Sequence, residues 1–308
     1  MPRKPQSQQG PSPITRRQAL AWAAAAPFLL MRPALAATGA ASRPGDGTRD
    51  AGFAALEHTH DRRLGLYAID TGSGQEVAYR ADERFPFCST FKAVLAGAVL
   101  ARDAGQPGLL DRRISYTKHD LASYSPITQQ HAGGSMCVAD LCAATLQYGD
   151  NTAANLLLHL LGGPPALTAF AHSAGNASFR LDRFETALNT AIPGDPRDTS
   201  TPSDMGRLLR NLMLGDALPA PARARLADWM LGNKTGDRRI RAAAPAGCKV
   251  ADRTGTGDYA SASDIGVLWP IGRQPMVLAI YTTAGDNRAR ADEALIAAAA
   301  RLAISRLG

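Results

Sequence analysis

Strand-like runs stand at the two ends of this 308-residue chain, and helical patterns lie between them. Residues 63–71 alternate up to a Gly72-Ser73-Gly74 turn, and residues 76–80 then resume an extended pattern, which predicts a hairpin. Three more such runs, 248–256, 261–269 and 275–283, follow near the C-terminus with Gly-, Asp- and Pro-containing turns between them. Residues 91–103, 138–148, 152–161, 164–174, 202–214 and 221–232 have helical periodicity, several opening on Pro or Thr, and a further helix is predicted over 289–307. A five-stranded antiparallel sheet drawn from both chain ends, with flanking helices and an inserted all-helical lobe, is an α+β architecture with a cleft where the lobes meet. The sheet lobe is expected over 51–85 and 233–308, and the helical lobe over 86–232.

The first residues read as an address rather than as fold. Arg16 and Arg17 precede an apolar run to Leu30, and Ala34-Leu35-Ala36 offers a small-residue cleavage site, so 1–36 is expected to be a signal peptide. The paired arginines resemble a twin-arginine export signal, with general secretion the other route; either leads to a periplasmic or secreted product. Residues 37–50 are expected to be a flexible lead-in. The leader carries five of the chain's 34 Lys and Arg residues, so the remainder balances 29 basic against 27 acidic side chains. That near-neutral balance argues against nucleic-acid or membrane-surface binding, and a monomer without membrane attachment is expected once the leader is removed. Cys88, Cys137, Cys142 and Cys248 have no spacing of a stapled framework and are expected as free thiols, and no metal or cofactor is called for.

Four segments carry chemistry. In Ser89-Thr90-Phe91-Lys92 a helix would bring the Lys92 amine onto the face of the Ser89 hydroxyl, the pairing that makes serine a nucleophile. Ser115-Tyr116-Thr117-Lys118 matches the same pattern, but only Ser89 is followed by a small apolar run, 93–100, where a lysine without a role would be costly. Gly149-Asp150-Asn151 reads as a turn capping the helix that starts at Thr152. In Arg183-Phe184-Glu185-Thr186-Ala187-Leu188-Asn189 a carboxylate four residues before an amide can share one water between acceptor and donor. Arg253-Thr254-Gly255-Thr256 ends a predicted strand, where a guanidinium can pair a carboxylate bidentately and Gly255 allows close backbone approach.

In this order over residues 55–305, the four segments resemble those of the class A serine β-lactamases. The resemblance implies a β-lactam substrate, with Ser89 as nucleophile and with Lys92 or a Glu185-bound water as its base. It implies that Glu185 and Asn189 hold the deacylating water, and that Arg183 pairs with Asp198 to brace their loop. Asn151 would hold the substrate's acylamido carbonyl, and Arg253, Thr254, Gly255 and Thr256 would take its carboxylate end. The amides of Ser89 and Thr256 would form the oxyanion hole. Tyr116 would stand at the cleft rim, and Arg273 would be a second carboxylate-side arginine. The family's usual disulfide partner of Cys142 falls at Ala96, and that of Cys88 in the carbapenem-hydrolysing group falls at Gly257, so neither bridge can form.

Two departures stand out, Gly149 for the family's Ser and Arg253 for its Lys. The lost hydroxyl is expected to slow ring opening unless a water takes over, Arg253 and the space beside Gly149 are expected to compensate one another, with the guanidinium or an ordered water filling the gap, and Gly149→Ser is expected to raise acylation. A penicillin-binding DD-peptidase or a slow-turnover β-lactam sensor of the same fold are the alternatives; the former would not need the Glu185 and Asn189 pair.

Overall fold

The computed structural model describes residues 46–308. The expected signal peptide and residues 37–45 of the lead-in lie outside the described residues. Helix α1 (Asp46–His60) already occupies 46–50, which the sequence reading assigned to the lead-in.

Strands β1 (Arg63–Asp70) and β2 (Glu76–Tyr79) form the expected hairpin, and β3 (Phe85–Pro86) follows. A 3-10 turn, Cys88–Thr90, leads into α2 (Phe91–Gly105). Strands β4 (Arg113–Ser115) and β5 (Ser135–Cys137) pair with each other ahead of α3 (Val138–Gln147), α4 (Asn151–Leu161) and α5 (Pro164–Ser173). The long loop after α5 ends in β6 (Thr199–Ser200), which pairs with β3, and α6 (Pro202–Met213) and α7 (Ala220–Leu231) complete the helices of the middle. Strands β7 (Lys249–Thr256), β8 (Ala262–Trp269) and β9 (Met276–Thr283) then precede α8 (Glu293–Arg306).

The main sheet runs β2-β1-β9-β8-β7, all antiparallel, so β1 lies beside β9 from the far end of the chain, in register from Arg63 opposite Thr283 to Asp70 opposite Met276. Period-two alternation sends Leu64, Leu66 and Ala68 to one face with Phe53 of α1 and Leu295 and Ile296 of α8. Tyr67 and Ile69 face the other core, with Phe91, Leu95 and the helices. Helix α6 packs on β1, β8 and β9, so the sheet's inner face is covered by a helix from the insertion rather than by a separate lobe.

Helix α2 is buried from Phe91 to Leu100, which is why its sequence is apolar on every side. Small residues at Ala93, Ala96, Gly97 and Ala98 let neighbouring helices approach, while each buried Leu or Phe contributes about 1.5–3 kcal/mol. Lys92 lies within this buried stretch, one turn from the cleft. Among the described residues no helix is long and apolar enough to cross a membrane.

Candidate active site

The turn before α2 sets the first side chain. Cys88 has φ of 46°, a left-handed conformation that costs a non-glycine residue about 1–2 kcal/mol. The turn is held because the Phe87 carbonyl accepts from Thr90 N (3.1 Å), Thr90 Oγ1 (2.8 Å) and Ser263 Oγ of β8 (3.1 Å). Ser89 is thereby fixed at the start of the central helix, and its Oγ donates to Glu185 Oε1 at 2.8 Å.

Lys92 is wholly buried, yet its ammonium has an acceptor for each of its three protons: Glu185 Oε1 at 2.9 Å, Gly149 O at 2.8 Å and Asn151 Oδ1 at 2.5 Å. Burial pushes its pKa down to about 8, with the Glu185 carboxylate pulling the other way. Its three acceptors, one of them the Glu185 carboxylate, suit the ammonium form.

Gly149, Asp150 and Asn151 are placed by the Asp150 carboxylate. It caps α4 through Ala153 N (2.9 Å) and also accepts from Ile127 N, Thr128 N and Thr128 Oγ1. The capping turn expected from sequence is thus also the device that aims the Gly149 carbonyl and Asn151 amide at Lys92.

Glu185 sits on the loop between α5 and β6. Asn155 of α4 brackets its backbone, accepting from Glu185 N (2.9 Å) and donating to Glu185 O (2.8 Å). Asn189 Nδ2 donates to Glu185 Oε2 at 2.5 Å, and the Asn189 Oδ1 atom is buried without a partner among the described residues, an acceptor open to a small polar molecule. The loop is braced where the sequence suggested. Arg183 Nε meets Asp198 Oδ2 at 2.6 Å, and Asp198 Oδ1 accepts from Asp182 N and Arg183 N.

Strand β7 supplies the opposite wall. A Cβ on Gly255 would fall 2.7 Å from Phe87 O and 3.0 Å from Ser89 N, so only glycine lets the strand lie against the Ser89 turn. Arg253, buried beside it, donates from Nε to Ser89 O at 3.3 Å and from Nη1 to Thr235 Oγ1 at 3.3 Å. Burial lowers its pKa to about 10, opposed by Glu185, Asp252 and Asp264. Thr254 Oγ1 pairs with Thr235 Oγ1 at 2.6 Å.

Of these residues, Ser89, Gly149, Asn151, Asn189, Arg253 and Thr254 to Thr256 line a cleft of about 370 Å³, and the Lys92 and Glu185 side chains are buried. A larger hollow of about 930 Å³ between α1 and residues 191–196 has none of this constellation.

Two sequence-predicted site residues lie elsewhere. Tyr116 is buried; its hydroxyl donates to Thr128 O at 2.7 Å, and burial, helped by Asp150, raises its pKa to about 12. The pairing of β4 with β5 turns its ring inward, and the exposed aromatic on the cleft is Tyr124 instead. Arg273 follows β8, where it pairs with Asp70 at 2.7 Å and caps the C-terminal end of α8 through Leu307 O and Gly308 O, away from the cleft. The carboxylate-attracting role expected of it has a different candidate in Arg239. That buried guanidinium reaches the cleft and donates to Gly255 O (2.7 Å), Ser263 O (2.8 Å) and Thr256 Oγ1 (2.8 Å), backed by Glu293. Asn155, Tyr124, Thr235, Arg239 and Glu293 carried no motif; only Asn155 had a signal, lying on the predicted 152–161 helix four residues after Asn151 of the turn that caps it.

A family model described as the β-lactamase enzyme family matches residues 50–307. The carbapenem-hydrolyzing β-lactamase KPC of Klebsiella oxytoca is 55% identical over 257 residues, covering 83% of this chain and 88% of that protein. The β-lactamase CTX-M-8 of Citrobacter amalonaticus is 49% identical over 250 residues, covering 81% and 86% respectively. The chain belongs to the class A serine β-lactamases. A crystal structure of a β-lactamase from Desulfarculus baarsii superposes on it with a TM-score of 0.84 at 55% identity, covering 85% of this chain and 98% of that one. The α+β fold expected from the strand distribution is that of this class A enzyme, and its activity is hydrolysis of β-lactams. Its four cysteines are free thiols, and burial raises the pKa of Cys88, next to Ser89, far out of the reactive range.

Proposed function

We propose that this β-lactamase opens the lactam ring by attack of Ser89 Oγ and releases the product through water activated by Glu185. The observation that carries this reading is the 2.8 Å hydrogen bond from Ser89 Oγ to Glu185 Oε1. A hydroxyl aimed at a carboxylate is positioned to lose its proton on attack, and the charged Lys92 at 2.9 Å steadies that carboxylate. Backbone amides of Ser89 and Thr256 receive the oxyanion, since Gly255 brings β7 against the Ser89 turn. After acylation the same carboxylate deprotonates a water shared with Asn189, whose unpartnered Oδ1 supports such a role. Thr254 and Thr256 take the substrate carboxylate in the positive field of Arg239 and Arg253, and Asn151 takes the side-chain amide. This Glu185 and Asn189 arrangement favours hydrolysis over the DD-peptidase alternative.

Stopped-flow hydrolysis of a chromogenic cephalosporin by wild type and Glu185→Gln tests the assignment. The variant should give a burst of acylation followed by release slowed at least about a hundredfold, with the adduct on Ser89 by mass spectrometry. Unchanged steady-state turnover in Glu185→Gln would refute it. Residues 1–36 are read as an export signal, by the twin-arginine route, and the mature protein as a periplasmic or secreted monomer. Its N-terminal sequence after expression with the leader checks the cleavage site.

A further inference from the structure

The departing ring nitrogen must receive a hydrogen bond and a proton as its bond to carbon breaks, and Gly149 has no side chain to offer either. The charged donors around Ser89 differ in how far they are committed. Lys92 gives its three protons to Glu185, Gly149 O and Asn151. Arg239 is tied to Gly255 O, Ser263 O, Thr256 and Glu293. Arg253 uses Nε and Nη1 on Ser89 O, Leu146 O and Thr235, whereas its Nη2 has no hydrogen-bond acceptor among the described residues. That Nη2 stands 3.0 Å from where a Cβ on Gly149 would be, and Tyr124 Cε1 stands 3.5 Å from the same point. The guanidinium thus fills the volume into which a side chain at 149 would project.

We propose that Arg253 Nη2 is the catalytic hydrogen-bond donor to the leaving nitrogen, and that Gly149 and Arg253 form one coupled unit in which the glycine exists to make room for the guanidinium. The proposal rests on Ser89 being the nucleophile. When the carbonyl carbon–nitrogen bond breaks, its electron pair passes to nitrogen, and Nη2–H stabilises that pair. Nitrogen then takes a proton from a water of the open cleft, water being the second substrate of the hydrolysis. The hydroxide left behind is neutralised by the proton that Ser89 gave to Glu185, which restores the carboxylate needed for deacylation. Arg253 keeps its charge throughout, as a guanidinium does. A lysine at 253 would be a single point charge, unable to hold Ser89 O and Thr235 while also covering the space over Gly149.

This geometry reverses the expectation from sequence that a serine at 149 helps. A Cβ there meets Nη2 at 3.0 Å, and the backbone φ of 76° is unfavourable for any side chain. The test is a double-mutant cycle on the acylation rate, measured by stopped flow with a chromogenic cephalosporin. Gly149→Ser alone and Arg253→Lys alone should each slow acylation about a hundredfold to a thousandfold, the usual cost of losing one transition-state donor. Gly149→Ser with Arg253→Lys should recover to within about fivefold of wild type, because the hydroxyl then has both room and a role. Gly149→Ala with Arg253→Lys, which fills the space without a hydroxyl, should remain as slow as Arg253→Lys, an outcome that repacking alone would not give. If Gly149→Ser alone fails to fold, the comparison of these two double variants carries the test. Acylation by Gly149→Ser at or above the wild-type rate, or no gain in the serine double variant over Arg253→Lys, overturns the proposal. Ser89→Gly separates the two readings: an acyl-enzyme still formed there overturns the nucleophile assignment itself, whereas its loss together with a flat cycle overturns only the role of Arg253.

Discussion

Replacing Asp198 with asparagine should loosen the loop that carries Glu185 without touching the cleft. The Asp198 side chain is fully buried and has three partners: Arg183 Nε at 2.6 Å on Oδ2, and the amides of Asp182 (2.8 Å) and Arg183 (3.0 Å) on Oδ1. Asparagine keeps an acceptor for the two amides but sets its own N–H donors against the guanidinium. Removing one member of a buried pair typically costs about 3–5 kcal/mol. The retained amide bonds are worth roughly 1 kcal/mol each, which places Asn near the lower end and Ala near the upper. For a domain of this size each kcal/mol moves the melting temperature about 2–4 °C, so Asp198→Asn should melt roughly 6–12 °C below wild type. Glu185 follows Arg183 by two residues and depends on the same loop. Release of a trapped acyl-enzyme should therefore slow more than its formation, by about tenfold or more, which a single-turnover trace resolves into two phases. A variant that loses less than about 1 kcal/mol in urea denaturation and deacylates normally would refute the view that this pair holds the loop.

Three further outcomes follow from buried groups. Burial lowers the Lys92 pKa from 10.5 to about 8, so between those values the unfolded chain binds a proton that the folded one lacks. The stability of wild type relative to Lys92→Met should accordingly rise with pH across that window and be flat below it; a difference that falls there would contradict the sign. Asp264 and Asp252 lie on the same face of neighbouring strands; burial raises the Asp264 pKa far above the ordinary carboxylate range, reinforced by Asp252, and raises that of Asp252 as well, though there Arg241, paired with it at 2.7 Å, pulls the other way. Asp264→Asn should therefore stay within about 1 kcal/mol of wild type and Asp252→Asn lose about 3–5 kcal/mol, and equal losses in denaturation would show that Asp264 is ionised in the fold. Finally, a Cβ on Gly257 would lie 2.8 Å from Cys88 Sγ and 2.5 Å from Asn189 O, so Gly257→Cys should form a disulfide with Cys88 once the 189 carbonyl gives way. Thiol titration of the oxidised variant should count one thiol fewer than in wild type, and one thiol more would show that the backbone does not yield.

Local chemistry made much of this enzyme readable from sequence. Extended runs at 63–71 and near the C-terminus, bounded by Gly, Asp and Pro turns, predicted five strands drawn from both ends, and because the sheet is covered on both faces its central strands are buried almost residue for residue. Small deviations arose where neighbours outvoted the local pattern: α6 sits on the sheet although it belongs to the inserted helices, because its buried face matches β1, β8 and β9. Ser89, Lys92, Glu185, Asn189, Asn151 and Arg253 to Thr256 were named through the resemblance to the class A enzymes, since each segment alone has a commoner structural meaning and only the four in order carry the assignment.

Residues whose roles depend on partners far along the chain were beyond such reasoning. Tyr116 and Tyr124 are both tyrosines in polar connecting sequence, and only the β4–β5 pairing decides that the first is buried on Thr128 while the second faces the cleft. Arg239 and Arg273 are likewise indistinguishable in sequence until folding brings one against Gly255 and Ser263 and the other against Asp70. Sequence by itself determined the element types, the strand-rich ends and the kinds of reactive group, because these depend on neighbours within a turn or a pleat. Which guanidinium reaches the cleft, which carboxylate meets Ser89, and the 3.0 Å that makes Gly149 and Arg253 interdependent were decided by packing between elements. Such contacts join residues tens to hundreds of positions apart, and close packing fixes their distances to a precision that no local pattern contains.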